Sequence, residues 1–120
     1  MTRFGLLLTS DSFASQSLAS ALLFAKTVLN HGHSIEHIFL YQDAVYSAAN
    51  HIDLPADEPD LSAELAQFCQ QHNIPLLFCI TAAEKRGVVS DKLVARDGYT
   101  SAGLAEFAMR QTHIDKLVQF

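Results

Sequence analysis

The stretch FGLLLTSDS, residues 4–12, decides how the rest of the chain is read. Its first six residues carry no charge and give way at once to a Ser-Asp-Ser cluster. A short continuous apolar run closed by turn-forming residues is the pattern of a strand buried on both faces, followed by a polar turn. Strands of that kind belong to parallel sheets covered on both sides, so helices are to be sought between this strand and the next. The run is also far too short for the apolar core of a signal peptide or for a membrane span, which leads to the expectation of a cytoplasmic protein.

Helices follow where that reading requires them. Ser15 is placed to cap a helix over residues 16–29, in which Leu18, Ala21, Leu22, Ala25, Val28 and Leu29 recur at three- and four-residue spacing. Asn30-His31-Gly32-His33 supplies the stop. A second strand is expected over residues 35–41, then a short helix to about residue 50 capped by Asp43. Residues 53–60, with two prolines and four acidic residues, read as a loop. A helix over 61–72 gathers Leu61, Leu65, Phe68 and Cys69 on one side and ends at Asn73. A third strand, 76–78, delivers Cys79 at its end. Beyond Gly87 the pattern weakens, with a helix expected over 102–110, its Leu104, Phe107 and Ala108 inward, and a last strand over 116–120. The alternation predicts an α/β three-layer sandwich, a mostly parallel sheet with helices on both faces.

Bulk properties narrow the function. One domain is expected of 120 residues, and 49% hydrophobic against 18% charged residues describes a chain that folds. A formal charge of −5 offers no general attraction for nucleic acid or an anionic membrane. The six histidines show no ligand spacing, so no metal site is expected. Ser12 and Ser17 lack a nucleophile-elbow context, and no phosphate-binding glycine motif occurs.

In open parallel sheets, ligands gather beyond the carboxyl ends of the strands. That rule selects three loops, 10–14, 41–43 and 79–88, with Ser10, Asp11 and Tyr41 as candidate pocket-lining residues and Cys79 as the candidate nucleophile. A helical turn after Cys79 would present backbone amides to the thiol, and Lys85 and Arg86 add positive charge, although Glu84 opposes them. Two readings stand. Cys79 is either an activated thiol or an inert core residue between Phe78 and Ile80, since free cysteine is among the most buried residue types. Cys69 repeats the apolar face of its helix and is read as structural. Tyr41 and Asp43 are equally natural as a strand-closing tyrosine and a helix cap.

The blocks FLYQDAVYSAAN (39–50) and FCITAAEKRGVV (78–89), with the closing LVQF (117–120), resemble the DsrE/TusD family of sulfurtransferase subunits, and the likeness runs nearly end to end. The resemblance implies that Cys79 accepts a sulfane sulfur as a persulfide and hands it on, with Arg86 and Lys85 stabilising the anion and no cofactor required. It implies TusB-like and TusC-like subunits in a hetero-oligomer, a TusA-like donor and a TusE-like acceptor, ultimately for 2-thiolation of the wobble uridine of tRNA. Dissimilatory sulfur oxidation is the setting of other DsrE-like relatives. Two rival readings are a non-catalytic assembly subunit with an incidental cysteine and a thiol redox sensor with Cys69 as resolving partner.

Overall fold

The computed structural model describes residues 1–13, 15–52 and 54–120; the expected loops at 10–14 and 53–60 therefore lie partly outside the described residues, at Ala14 and Asp53. Five strands form one parallel sheet: β1 (Arg3–Leu8), β2 (Ser34–Leu40), β3 (Leu76–Cys79), β4 (Thr100–Ala102) and β5 (Lys116–Gln119), in the order β4-β3-β2-β1-β5. Between them run α1 (Ser17–Asn30), a 3₁₀ segment (Gln42–Ala48), α2 (Leu61–Gln71), α3 (Ile80–Lys85), α4 (Leu104–Arg110) and a 3₁₀ turn (Gln111–His113).

The chain steps outward from β1 through β2 and β3 to β4, then returns across the sheet to place β5 on the far side of β1. Right-handed crossovers put connections that run in opposite directions on opposite faces. Accordingly α1 covers the face of Phe4, Leu6 and Leu8, with Phe24 edge-on to Phe4 at 5.4 Å between ring centroids. The return helix α4 lies on the other face, where Phe107 packs on Phe39 with ring centroids 4.7 Å apart and planes tilted by 40°. Cys79 stands at the C-terminal end of β3, beside Ala102 of β4.

Three helices end in the same way. Gly32, Asn73 and Gly87 all have positive φ, at 82°, 55° and 72°. After each, a reversed pair of amide bonds closes the helix: His33 to Val28 and Gly32 to Leu29, Ile74 to Cys69 and Asn73 to Gln70, Val88 to Ala83 and Gly87 to Glu84. These are Schellman motifs, which need a residue tolerant of left-handed backbone just past the helix. Glycine and asparagine supply it.

Several expectations need correction. The residue before α1 is Gln16, with no side-chain cap; Ser15 stands one position earlier and its Oγ accepts from Ser17 N–H at 3.3 Å. Asp43 caps nothing, because the segment after β2 winds as a 3₁₀ helix led by Tyr41 in extended backbone. Asp60 is a true cap, its carboxylate accepting from Ala63 N–H at 3.1 Å. β4 has no counterpart among the strands read from the sequence. And α4 buries no residue: Leu104 is 48% exposed, Ala108 is exposed and Phe107 half-buried. Phe107 alone of the three packs on the sheet, against His37 and Phe39, while Leu104 and Ala108 face outward.

Candidate active site at the end of strand β3

Cys79 closes β3 and serves as the N-terminal cap residue of α3. Side chains alternate along a strand, so Cys79 shares a face with Leu77 and turns away from the α1 side. It is only 2% exposed, so it is not a surface thiol. Nor does it hydrogen-bond the first amides of α3, contrary to the expectation that it would meet them. Its access is a cavity of about 440 Å³ at the carboxyl end of the sheet, of which it forms part of the wall.

Four elements build that cavity. β3 contributes Cys79, and the 3₁₀ segment contributes Gln42 and, just past β2, its half-buried cap residue Tyr41. From α3 come Thr81, Ala82 and Lys85, with Arg86 as its C-terminal cap residue. Leu104 reaches over from the start of α4. No acidic side chain lines it, although the chain as a whole is negative.

Gln42 carries φ of 52°, a left-handed conformation unusual for a residue with a side chain. Such backbone costs of order 1 kcal/mol and persists where surrounding structure holds it. The next residue, Asp43, is bonded across to α3. Arg86 Nε donates to Asp43 Oδ1 at 2.9 Å, and Arg86 Nη1 donates to the Ala82 carbonyl at 3.2 Å. The guanidinium thus ties the turn after β2 to α3.

Of the residues singled out by sequence, Cys79, Tyr41, Lys85 and Arg86 come together at this cavity. Ser10 and Asp11 do not line it. They follow β1, which is separated from β3 by β2, and adjacent strands stand roughly 4.8 Å apart. Asp11 instead accepts from Phe13 N–H at 2.8 Å in a local turn. Glu84, expected to weaken the positive field, is exposed and outside the lining. Gln42 and Thr81 lie within the loops selected by sequence, 41–43 and 79–88, without being singled out there, whereas Leu104 lies outside them and arrives only through the chain's return across the sheet.

Cys69 is as deeply buried but borders a separate cavity between α2 and the start of β3, which no lysine or arginine lines. It is buried in the α2 side of the core, and burial pushes its thiol up to about 12. The two cysteines are both free thiols. Among the described residues no group of histidine, cysteine and carboxylate side chains is arranged to hold a metal ion, and no helix is long and apolar enough to cross a membrane.

Comparison with known proteins agrees with this architecture. Residues 2–120 match the DsrE/DsrF-like family. The Sulfurtransferase TusD of Erwinia tasmaniensis is 36% identical over 127 aligned residues, covering 98% of this chain and 99% of that protein. The Sulfurtransferase TusD of Salmonella arizonae is 34% identical, with the same coverage. In fold, the chain superposes on the crystal structure of the ychN protein from E. coli with a TM-score of 0.82 at 22% identity, covering all of both chains. A conserved protein of unknown function from Bacteroides thetaiotaomicron gives 0.67 at 20% identity, covering 99% of this chain and 95% of that one. The family match over residues 2–120, with 36% and 34% identity to two TusD sulfurtransferases over nearly the full chain, shows that this chain belongs to the DsrE/DsrF-like family.

Proposed function

We propose that this protein is a sulfurtransferase of a sulfur relay in which Cys79 is the sulfur carrier. The observation that carries the reading is the placement of Cys79 in the wall of a cation-bearing cavity, in a chain that resembles TusD sulfurtransferases over its full length. The Cys79 thiolate attacks the outer sulfur of a donor persulfide. A new S–S bond forms at Cys79, the donor's S–S bond breaks, and the donor leaves as a thiolate, so no external oxidant or reductant enters. An acceptor thiolate then repeats the attack on the outer sulfur of the Cys79 persulfide and regenerates the thiolate. Positive charge on the cavity wall, which carries Arg86 and Lys85, favours both anions. Neither step calls for a metal or an organic cofactor.

A cavity of this size admits a thiol-bearing segment of another protein rather than a large substrate, so specificity resides in docking. The proposed partners are a TusA-like donor, a TusE-like acceptor and TusB-like and TusC-like subunits in a cytoplasmic hetero-oligomer, with wobble-uridine thiolation of tRNA as the destination. Thinly covered apolar side chains on the α4 face, Met109 at 70% exposure and Leu117 at 43%, support an assembled state.

The reduced protein, incubated with a small persulfide donor and weighed intact, should gain the mass of one sulfur atom, and Cys79→Ser should gain none. Wild type that takes up no sulfur would identify an assembly subunit with an incidental thiol. Loss of two hydrogens under peroxide, with Cys69 joined to Cys79, would identify a redox sensor instead.

A further inference from the structure

Two cations face the same cavity, and their circumstances differ. Arg86 is committed: one nitrogen donates to Asp43 across the cavity rim and another to the Ala82 carbonyl one turn back in α3. Its side chain is 27% exposed. Lys85 is exposed and, among the described residues, has no ion-pair partner. The Schellman closure at Gly87 fixes the backbone beneath both, so the difference lies in the side chains alone.

The chemistry needs a charge that follows the reacting atom. The anionic sulfur sits at Sγ in the thiolate and one S–S bond further out in the persulfide. A guanidinium held by two directional bonds stays where it is, and its charge is already matched by the Asp43 carboxylate. An ammonium on a flexible four-carbon stem, with three rotatable donors, can pair with either position. Resting on the relay reading above, we infer that the two cations divide the work: Arg86, clamped by Asp43, is a positioning residue that fixes the cavity wall, and Lys85 is the cation that pairs with the sulfur anion at Cys79.

Alkylation of Cys79 by anionic iodoacetate and by neutral iodoacetamide, followed against pH, separates charge from shape. Lys85→Gln should lower the iodoacetate-to-iodoacetamide rate ratio by about fivefold, the scale of one partly solvated charge nearby, and move the pH midpoint of alkylation upward. Lys85→Arg should restore both. The charge-neutral double variant Asp43→Asn/Arg86→Gln should change the two rates together and leave their ratio in place. The inference is overturned if the ratio survives Lys85→Gln, or if it collapses in the double variant instead. Should native wild-type Cys79 react with neither reagent, the relay reading itself falls and takes this inference with it; a reactive Cys79 indifferent to Lys85 removes only the division of labour.

Discussion

At the scale of single residues, the two cysteines show how much position adds to composition. Both follow a phenylalanine and both are almost fully buried. Cys69 lies in the α2 layer of the core, where burial raises its thiol to about 12, and at neutral pH it should stay protonated and inert. In the folded protein, mass mapping after iodoacetamide should therefore find the label on Cys79 and not on Cys69. Cys69→Ser leaves a hydroxyl in the same surroundings and should lower stability by about 1–3 kcal/mol, read from the urea midpoint. The helical period of residues 61–72 already placed Cys69 on an apolar face. For Cys79 the pattern left nucleophile and core side by side, because an apolar strand end looks the same whether its last residue abuts a cavity or a neighbour.

At the scale of elements, the helices announced by apolar period and by glycine or asparagine stops are present to within a residue or two. Those stops are legible for a local reason: a Schellman closure needs left-handed backbone at one position, and few residue types accept it. The start of α2 is equally local. Asp60 caps Ala63 N–H and also pairs with Arg96 at 2.9 Å, and the Arg96 bond foremost holds its carboxyl below the usual range. Asp60→Ala should cost about 1 kcal/mol or somewhat more in thermal or urea unfolding, the ordinary worth of such a cap with a partly exposed ion pair added. By contrast β4 is the three residues Thr-Ser-Ala, two of them exposed. No apolar run marks it; β3 recruits it by pairing Leu77, Phe78 and Cys79 with its backbone.

At the scale of the whole molecule, the bulge between β1 and β2 gives acid sensitivity a definite seat. Phe4 pairs with Ile35 and Gly5 with His37, so Glu36 is left over and its side chain joins His37 on the α4 side of the sheet. His37 is fully buried; its Nδ1 meets the Glu36 carboxylate, and its Nε2 has no hydrogen-bond partner among the described residues. Burial, above all, lowers its pKa below 6.5, against the pull of Glu36, while Arg110 lowers it further. Glu36 is in turn bonded by Arg110 at 2.8 Å, and Arg110 by Glu106 at 3.0 Å. The native ring stays neutral at pH values where the unfolded ring takes up a proton, so stability is complete above about pH 6.5 and declines as pH falls toward the native pKa. Thermal unfolding between pH 7 and pH 5 should show that decline, and His37→Asn should flatten it whatever its effect on the absolute midpoint. The decline due to Asp60 belongs to a separate window, below the ordinary aspartate value of 3.8.

The amino-acid sequence determined the strands that are continuous apolar runs, the helices that alternate with them, their stops, and hence a parallel sheet with helices about it. Those features are encoded within a dozen residues, where periodicity and backbone tolerance act directly. Only tertiary structure decided which strand ends became neighbours. Strand order seats Tyr41 beside Cys79, leaves Ser10 and Asp11 a strand further off, and carries Leu104 back over the cavity. It also turned Asp43 from the expected cap into the clamp on Arg86, 43 residues away, because a carboxylate bonds whichever donor the fold brings within reach.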